Sequence, residues 1–498
     1  MTETAPFAPD VMELSGVLGG PHFDTGIGSF LPIAKLGPCP IVHMVGLAGS
    51  GMRALAAVLA ARGWNVRGSD ASPEACESLA AAGYEVVAGH LAAHVQPATA
   101  LLVHSAAVDA NNPELRRAAR LGIPSISYAD MLGKLMTGRH RLAVAGTHGK
   151  STITAMTGEI LSAANLEPTV VYGAEPVEIN AVLESNNATA RVVRPSENLI
   201  LVEACEYRGN FLSLRPNRAV ISGIEPDHFD CYPTSTALHE AFAAFVDLLP
   251  GDGLLLTPRA DAVAQRIAAA ARCRRETFGC TADSDWQATE IASHQGRYAF
   301  TIRRRGRRFG RVPLNVVGRH NVLNALAAAA LAASAGAAGA DIVIGLSRFA
   351  GLKRRMQYVG RIRGVELWDD YAHHPTAVAA VISALREIHP GARLCAVFEP
   401  HQVSRTAALM DEFAAALSQV DLLAVTDIFR ARETASTSDV TAADMADRVR
   451  RRGTEVLLEH NLAQIGERML ATCRPTDVLV TMGAGQIGKL NHAIRNRL

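Results

Sequence analysis

The sequence predicts an α/β protein built from three tandem domains. The chain has 498 residues, and at roughly 100–200 residues per domain this length accommodates about three domains. From Ile41 onward, short apolar runs alternate with helical stretches, which is typical of parallel sheets covered by helices. Two of the apolar runs are followed by glycine-containing loops, as expected where a strand turns into a ligand-binding helix.

The alternation falls into three series along the chain. The first begins with IVHMV at Ile41 and continues through NVRGSD, EVV and LLVHS. The second begins with RLAVA at Arg141, continues through LILVEA and RAVISGI, and ends at an alanine-rich helix after His320. The third begins with VELWDD at Val365 and continues through RLCAVF, DLLAV and DVLVTMG. The predicted units are a flexible extension rich in glycine and proline at 1–40 and domains at 41–137, 138–350 and 351–498.

Composition excludes several classes of function. Lys+Arg is 49 and Asp+Glu is 48, so no global field exists to hold nucleic acid or an anionic membrane. In the arginine-rich stretch Tyr298–Leu314, no aromatic residue is interleaved within the arginine run at 303–308, which is therefore interpreted as a solvated hairpin turn. The 8 cysteines form no CxxC pair, which indicates reduced thiols rather than a zinc site or a disulfide framework. Without a signal-like start or a long apolar run, we expect a cytoplasmic protein.

The strongest motif is AGTHGKST, which follows the buried run RLAVA. Gly146 and Gly149 let backbone N–H groups wrap a phosphate at a helix N-terminus, and Lys150 adds a mobile positive charge. The Ser151 hydroxyl is suited to Mg²⁺. The loop is two residues shorter than the usual G-x-x-x-x-G-K-[ST], yet its chemistry predicts a phosphate site.

Acidic residues and a histidine follow the next two strands of the second series. Glu203 ends LILVEA, and GIEPDHFD places Glu225, Asp227 and His228 after RAVIS. Ligands bind at the carboxyl ends of parallel strands, where a hard carboxylate selects Mg²⁺ and a neutral imidazole can join a second metal site. In isolation such Asp-His pairs are more often structural hydrogen bonds. Beside a phosphate loop, a metal site is favoured.

The first series carries GLAGSG after its opening strand. Its glycines at Gly46, Gly49 and Gly51 reverse the spacing of the dinucleotide fingerprint, so the motif does not specify which nucleotide binds. It does indicate a diphosphate at the following helix, with Asp70 placed for a ribose hydroxyl. A nicotinamide oxidoreductase would require the G-x-G-x-x-G spacing and a hydride-transfer site, and neither is present in the sequence.

Further candidate residues start helices later in the chain. Asn321 and Asn324 are three residues apart, so both amides can lie on one face and present the donor and acceptor that an adenine edge requires. A helix cap is an equally simple interpretation. In the third series, DDYAHHP at 369–375 and FEPHQVSRT at 398–406 lie in loops that follow strands, where sites are commonly built.

Taken together and in order, AGTHGKST, VEACE, IEPDHFD, GRHNVLNALAA, GLKRRMQ, DDYAHHPT, FEPHQVSRT and GAGQIG resemble the Mur ligase family. The resemblance covers about residues 41–488. It implies a Rossmann-like UDP-sugar-binding domain, a central P-loop ATPase domain and a Rossmann-like C-terminal domain that binds the amino acid. It also implies an ATP- and Mg²⁺-dependent ligase of peptidoglycan precursor synthesis, which joins L-alanine to the lactyl carboxylate of UDP-N-acetylmuramate through an acyl phosphate. We expect small-molecule partners only and a monomer or weak homodimer.

The resemblance also assigns residues to roles. Lys150, Glu203 and His228 are the expected catalytic residues, and Ser151, Glu203 and His228 the expected metal ligands. ATP-binding residues are expected at Gly146, Thr147, His148, Gly149, Lys150, Ser151, Thr152, Asn321, Asn324, Arg355 and Asp370. UDP-sugar-binding residues are expected at Gly46, Gly49, Ser50, Gly51, Met52, Ser69, Asp70 and Ser105. Amino-acid-binding residues are expected at Tyr371, His373 and Arg405.

The sequence departs from the family pattern near the site. Cys205 stands where the family has Asp, Gly223 where Asn is usual, and Gln402 where Arg is usual. The last change leaves the choice of amino acid open. Two alternatives follow from the same motifs: a ligase of cell-wall recycling that attaches a preformed tripeptide, and a nucleotide-binding relative without turnover.

Overall fold

The computed structural model describes residues 39–177, 198–431, 433, 439–459 and 461–495. Apart from Cys39 and Pro40, the extension expected at 1–40 lies outside the described residues. The described strands form three sheets separated along the chain, and helices connect most of the strands. Among the described helices, none combines the length and the apolar character that a membrane span requires.

The first sheet is entirely parallel, with the order β3-β2-β1-β4-β5. Its strands are β1 Ile41–Val45, β2 Asn65–Asp70, β3 Glu85–Ala88, β4 Thr99–His104 and β5 Ser125–Ser127. Its helices are α1 Ser50–Ala61, α2 Pro73–Ala81, α3 Pro113–Leu121 and α4 Tyr128–Met136. The strand order reverses between β1 and β4, which opens a crevice at the carboxyl ends of these strands.

The second sheet has nine strands in the order β14-β13-β12-β11-β10-β9-β6-β8-β7. They are β6 His140–Ala145, β7 Thr169–Val171, β8 Leu199–Glu203, β9 Arg218–Ile221, β10 Leu254–Pro258, β11 Arg274–Gly279, β12 Trp286–His294, β13 Arg297–Arg304 and β14 Arg307–Val317. The helices are α5 Lys150–Ala163, α6 Ser235–Asp247, α7 Ala262–Ala268, α8 His320–Ser334 and α9 Gly339–Arg348. Alanines 325 and 327–330 of α8 are buried, because small side chains let this helix approach its neighbours closely.

The third sheet has six strands in the order β15-β16-β20-β17-β18-β19. They are β15 Gln357–Ile362, β16 Val365–Asp370, β17 Leu394–Phe398, β18 Leu422–Val425, β19 Glu455–Leu458 and β20 Val478–Met482. The helices are α10 Pro375–Ile388, α11 Val403–Ala408, α12 Met410–Leu417, α13 Ala442–Arg450, α14 Leu462–Thr472 and α15 Gly488–Arg495. Strands β16, β20 and β17 are parallel, so their carboxyl ends meet at one edge.

The second and third sheets contain antiparallel strands that the alternation of strands and helices did not predict. In the second, β12, β13 and β14 form a meander joined by short turns. In the third, β15 pairs antiparallel with β16. The expected hairpin within Tyr298–Leu314 is present as β13 and β14. Arg304 and Arg305 near its turn pair with Glu276 and Asp285, at 3.0 and 3.2 Å.

Gly345 on α9 allows close packing against α5. A Cβ at this position would lie 2.4 Å from Cα and 2.6 Å from the backbone nitrogen of Ile160. Alanine ordinarily stabilises a helix interior by about 1 kcal/mol over glycine. Here the clash is with backbone atoms, which no rotamer change relieves. We therefore expect Gly345→Ala to lower the free energy of unfolding by about 1–3 kcal/mol, measured by thermal or urea unfolding.

The matched control for this substitution is Gly251→Ala. A Cβ at Gly251 would meet nothing within 4 Å, and its φ is not positive, so the change should stay within about 0.5 kcal/mol. An unfolding midpoint for Gly345→Ala equal to or above that of the wild type would contradict the packing argument.

Candidate active site

The AGTHGKST motif forms a tight loop between β6 and α5. Gly146 and Gly149 have φ values of 122° and 76°. A Cβ at Gly146 would lie 2.2 Å from Oγ of Ser222, and one at Gly149 would lie 2.6 Å from Oδ1 of Asn324. Both positions therefore require glycine on conformational and steric grounds. The loop ends at the N-terminus of α5, where unpaired N–H groups favour an anion.

Lys150 is held at this loop by a buried carboxylate. Its Nζ donates hydrogen bonds to the carbonyl of Gly146 at 2.5 Å and to Oε1 of Glu206 at 2.9 Å. Burial opposes the charge on Lys150, but the Glu206 carboxylate outweighs burial and raises the pKa of the ammonium group. Burial likewise raises the pKa of Glu206, whereas Lys150 and His228 lower it, and the net shift is downward. The two groups form a charged pair.

Glu206 was not among the residues expected from the sequence. It lies three residues after Glu203, and its side chain contacts both Lys150 and His228. The VEACE motif contains it, so the signal was present as a second acidic residue beside the first. Strand β8 ends at Glu203, and side chains beyond a strand no longer alternate between its two faces. The spacing therefore did not indicate in which direction the Glu206 carboxylate points.

Glu203 ends β8 beside the start of α5. Its Oε1 accepts a hydrogen bond from Oγ of Ser151 at 2.8 Å, and its Oε2 accepts one from the backbone of Gly173 at 2.9 Å. The side-chain oxygens of Ser151 and Glu203 lie next to each other, and oxygen atoms are the ligands that Mg²⁺ prefers. His228 has a positive φ of 54°, and its Nδ1 is buried without a hydrogen-bond partner among the described residues. That nitrogen is chemically suited to a second cation.

Two of the departures from the family pattern have structural explanations. Burial, together with the charge of Glu206, raises the pKa of the Cys205 thiol to about 12, so it stays neutral and is a poor ligand for Mg²⁺. Gly223 has a φ of 150°, and its carbonyl accepts the N–H of Thr147 at 2.9 Å. Glycine suits this backbone conformation and still holds the phosphate loop.

Asn321 and Asn324 lie on one face at the start of α8, as the sequence indicates. Nδ2 of Asn324 donates to Oδ1 of Asn321 at 2.9 Å, and Nδ2 of Asn321 donates to the carbonyl of Val317 at 2.8 Å. Asn324 faces Gly149, so the pair adjoins the phosphate loop. Contact with adenine stays a prediction.

Asp370 ends β16, and backbone groups hold its carboxylate. Its Oδ2 accepts the N–H of Met356 at 2.6 Å, and its Oδ1 accepts that of Ala372 at 2.7 Å. These bonds fix the segment that carries Arg355, whose guanidinium lies 4.8 Å from the ring centroid of Tyr371. Whether Asp370 and Arg355 contact a nucleotide stays a prediction.

Arg405 on α11 makes a buried ion pair with the central domain. Its Nε lies 2.6 Å from Oδ1 of Asp227, and the two side chains are 1% and 5% exposed. Its Nη1 lies 2.9 Å from Nδ1 of His401, whose ring centroid is 5.7 Å from that of His373. Burial would raise the pKa of Asp227, but the Arg405 charge holds it well below its usual range. Of the expected amino-acid residues, Arg405 and His373 thus interact with Asp227 in the loop that carries His228, and the ring of Tyr371 lies 5.3 Å from that of His373.

A second contact joins the same central loop to the third domain. Oε2 of Glu225 accepts a hydrogen bond from Oγ1 of Thr376 at 2.6 Å and lies 3.4 Å from Nε2 of His148. Nε2 of His374 lies 3.2 Å from the carbonyl of Pro226. Chiefly through its bond with His148, the pKa of Glu225 falls to about 2, so the carboxylate is ionised at neutral pH.

Gln402 is buried at the start of α11. Its φ of 69° is unusual for a residue with a side chain, and its N–H donates to the carbonyl of Phe429 at 2.9 Å. Its carbonyl accepts Oγ1 of Thr406 at 2.7 Å. These backbone bonds orient the turn that presents Arg405.

A cavity of about 470 Å³ opens at the crevice of the first sheet. Of the expected UDP-sugar residues, Gly46, Gly49, Asp70 and Ser105 line it, as do His90, Asp109, Asn111 and Asn112, which the sequence did not indicate. Oδ2 of Asp70 accepts the N–H of Ala48 at 2.9 Å, so this carboxylate holds the glycine loop. Ser50, Gly51, Met52 and Ser69 are not among the residues that line the cavity. Met52 and Ser69 are buried, and Gly51 packs against Tyr128.

A buried carboxylate lies behind this cavity. Glu114 is fully buried and accepts a hydrogen bond from Oγ of Ser69 at 2.6 Å. Nitrogens of His90 and His94 each lie 3.0 Å from its oxygens, and Nε2 of His43 lies 3.3 Å away. Burial raises the pKa of Glu114, but hydrogen bonds from His43 and Ser69 outweigh it, and the net shift is downward. The cluster positions His90 at the cavity wall.

Comparison with protein families accounts for nearly the whole described chain. Residues 41–140 match the Mur ligase family catalytic domain, residues 144–332 the Mur ligase middle domain, and residues 354–485 the Mur ligase glutamate ligase domain. The chain belongs to the Mur ligase family.

Relatives of this Mur ligase cover the chain almost end to end. It is 37% identical to the UDP-N-acetylmuramate–L-alanine ligase of Solibacter usitatus, over 92% of this chain and 95% of that protein. It is 38% identical to the enzyme of the same name from Nitratidesulfovibrio vulgaris, over 90% and 96%. The solved UDP-N-acetylmuramate–alanine ligase of Thermotoga maritima superposes with a TM-score of 0.74 at 25% identity, over 92% and 98%. The murein peptide ligase of Psychrobacter arcticus gives 0.69 at 25% identity, with the same coverage. The predicted three-domain α/β fold is therefore confirmed.

Loss of one partner of the buried Asp227–Arg405 pair should destabilise the fold strongly. We expect Asp227→Asn to lower the free energy of unfolding by about 3–5 kcal/mol, since it leaves a buried guanidinium without its counter-charge. Calorimetry at neutral pH measures the effect.

The control for burial is Asp283→Asn. Asp283 pairs with Nε of Arg259 at the same 2.6 Å, but the two side chains are 56% and 43% exposed. Loss of an exposed, solvent-screened pair should change stability far less than loss of the buried pair. Equal effects of the two substitutions would show that burial does not determine the strength of the Asp227 pair.

The Glu114 cluster predicts a pH dependence of stability. Because folding lowers the pKa of Glu114, its carboxylate stabilises the fold above the ordinary Glu range, and this contribution disappears as the pH falls through the folded pKa. We expect Glu114→Gln to lower the free energy of unfolding by about 2 kcal/mol at pH 7. The difference from the wild type should shrink as the pH falls below about 4.5.

Glu85→Gln provides the control in the same domain. Glu85 is exposed and pairs with Arg67 at 2.8 Å, so its replacement should change stability by less than about 1 kcal/mol. A Glu114 effect that did not change with pH would indicate a packing defect rather than loss of charge.

Proposed function

We propose that this Mur ligase joins L-alanine to the lactyl carboxylate of UDP-N-acetylmuramate with conversion of ATP to ADP and phosphate. The relatives that carry this activity in their names match the chain over about nine-tenths of its length. The observation that carries the proposal is the set of contacts that joins the phosphate loop to Arg405. Lys150 pairs with Glu206, Glu206 contacts His228, and Asp227 beside His228 holds Arg405. A nucleotide, an acid and an amine are the reactants that such an arrangement of charges is suited to bring together.

The reaction proceeds through two steps. An oxygen of the lactyl carboxylate attacks the γ-phosphorus of ATP, and the bond to the β-phosphate oxygen breaks, releasing ADP. The amino group of alanine then attacks the acyl carbon of the acyl phosphate, and the tetrahedral intermediate collapses to the amide and phosphate. Both steps depend on placement and on neutralisation of charge rather than on a covalent enzyme intermediate.

Lys150 supplies positive charge where phosphoryl oxygens develop negative charge. Glu206 keeps the amine protonated and turns it toward the loop carbonyls, so it positions Lys150 before ATP arrives. Amides at the start of α5 add fixed partial charges at no reorganisation cost. Asn324 lies beside this loop and is hydrogen-bonded to Asn321, and this proximity supports a role of the pair in binding the adenine.

Ser151 and Glu203 are the residues that would hold Mg²⁺, and His228 would contribute to a second ion. A bound Mg²⁺ would neutralise part of the negative charge of the phosphate groups. Ser151 and Glu203 are already in hydrogen-bond contact, so the two oxygens need little rearrangement to act together. The buried Nδ1 of His228 lacks a hydrogen-bond partner among the described residues, so its lone pair would be available to a metal ion.

Arg405 is the residue best suited to the carboxylate of the incoming amino acid. Asp227 and His401 hold its Nε and Nη1, which fixes the plane of the guanidinium. Gln402 removes a second guanidinium from this region relative to the family pattern. We infer that recognition of the amino-acid carboxylate rests mainly on Arg405.

We also infer that the protein acts in the cytoplasm on small molecules and that it is a monomer or weak homodimer.

Phosphate release distinguishes the proposed reaction from its alternatives. The assay contains ATP, Mg²⁺ and UDP-N-acetylmuramate with alanine, serine, glycine or the stem tripeptide, each in a separate reaction. We expect the highest kcat/KM with L-alanine. Release with tripeptide alone would identify a recycling ligase, and release with none of them would support a nucleotide-binding relative without turnover.

Lys150→Ala tests the placement of ATP. We expect kcat to fall by about 10²-fold or more, because the ammonium neutralises charge that develops during phosphoryl transfer. Lys134→Ala, at an exposed lysine on α4, should retain wild-type turnover. A near-normal rate for Lys150→Ala would contradict the assignment of the phosphate loop, provided circular dichroism shows an intact fold.

A further inference from the structure

Two cysteines that are distant in sequence meet inside the third domain. Cys395 lies on β17 and is fully buried, and Cys473 directly follows α14 and is half-buried. Their sulfur atoms and a carboxylate oxygen of Asp477 all lie within 4.8 Å of one another. The scattered cysteines of the sequence indicated independent thiols, but the fold brings these two together.

The pair lies away from the proposed reaction. Cys395 is near the amino end of β17, and Asp477 directly precedes β20, which pairs parallel with β17. The residues expected to bind nucleotide and amino acid follow the carboxyl ends of the strands of this sheet. Cys395 and Cys473 pack instead with Ile465 and Met469 of α14 in the core on one face of the sheet.

The surroundings of the pair favour thiol chemistry over metal binding. Oδ2 of Asp477 accepts the N–H of Arg474 at 2.8 Å and lies 3.2 Å from Nη1 of Arg393, so protein donors already hold this carboxylate. The Cys395 thiol is 3.7 Å from the same oxygen and can donate to it. A cation would have to displace the guanidinium of Arg393, whereas a bond between the two sulfur atoms would displace nothing.

The two thiols differ in acidity. A hydrogen bond from Cys395 and the charge of Arg393 lower the pKa of Cys473, in spite of its burial. The pKa of Cys395 is raised by the hydrogen bond that its thiol makes to Cys473 and by burial. Cys473 is also the more accessible of the two. It therefore has the properties of an attacking thiol, and Cys395 those of a resolving thiol.

We propose that Cys395 and Cys473 are a redox pair that closes to an intramolecular disulfide on exposure to hydrogen peroxide. The Cys473 thiolate attacks one peroxide oxygen, the O–O bond breaks, and the departing hydroxide takes a proton to become water. The sulfur of Cys395 then attacks the resulting sulfenic acid. The S–S bond forms, the S–O bond breaks, and a second water leaves with the Cys395 proton, for which Asp477 is the nearby acceptor. The thiols lose two electrons, and peroxide gains them.

Peptide mapping of the full chain tests the proposal. Reduced protein is treated with peroxide, its remaining thiols are alkylated, and it is digested with trypsin without reduction. Because trypsin does not cleave the Arg474–Pro475 bond, we expect the peptide Leu394–Arg405 to be linked to Met469–Lys489, with a mass two hydrogens below the sum of the two peptides. The linked species should disappear after treatment with dithiothreitol.

Variants identify the order of attack. Cys395→Ser should abolish the link and leave a sulfenic acid on Cys473 that dimedone traps, whereas Cys473→Ser should abolish both. The exposed Cys280 provides the control, since Cys280→Ser should leave the link unchanged. Circular dichroism verifies folding, and Cys473→Ala is the second variant if serine perturbs it. Recovery of both thiols in alkylated form after peroxide treatment, or links mainly to other cysteines, would overturn the proposal.

Discussion

The buried ion pair between Asp227 and Arg405 is the constraint on which the arrangement of the candidate active site depends. Neither charge is stable in the interior alone, so the loop after β9 and the start of α11 have to meet for the site to be complete. The same loop carries Glu225 toward Thr376 and places His228 beside Glu206. A single turn of the central domain therefore holds the third domain and presents a candidate metal ligand.

Local motifs were predictable from the sequence, and long-range contacts were not. The phosphate loop and the Asn321–Asn324 face depend on spacings of a few residues, which the backbone translates directly into geometry. The pairing of Asp227 with Arg405 joins positions 178 residues apart, and no periodicity encodes it. The second carboxylate, Glu206, was missed because it lies where the chain leaves a strand and side-chain alternation ends.

The same distinction applies to the fold. Strands β1, β6 and β17 contain buried apolar runs and were visible in the sequence. Strand β11, RRETFG, begins with exposed charged residues and lacks a continuous apolar run. The antiparallel additions at β12–β14 and β15 follow short turns, and the alternation of strands and helices does not reveal pairing direction. The Glu114 cluster likewise unites four elements of the first domain that no sequence motif connects.

His148 has a consequence for the energetics of ligand binding. It belongs to the phosphate loop, yet its imidazole reaches Glu225, which also accepts a hydrogen bond from Thr376 of the third domain. With nucleotide bound at this loop as proposed, nucleotide occupancy and interdomain docking would share one carboxylate, and by thermodynamic linkage their coupling would be reciprocal. Any factor by which bound nucleotide strengthens docking is the factor by which docking tightens nucleotide binding. The contacts of Glu225 with His148 and Thr376 provide a physical route for that coupling, which needs no separate effector site.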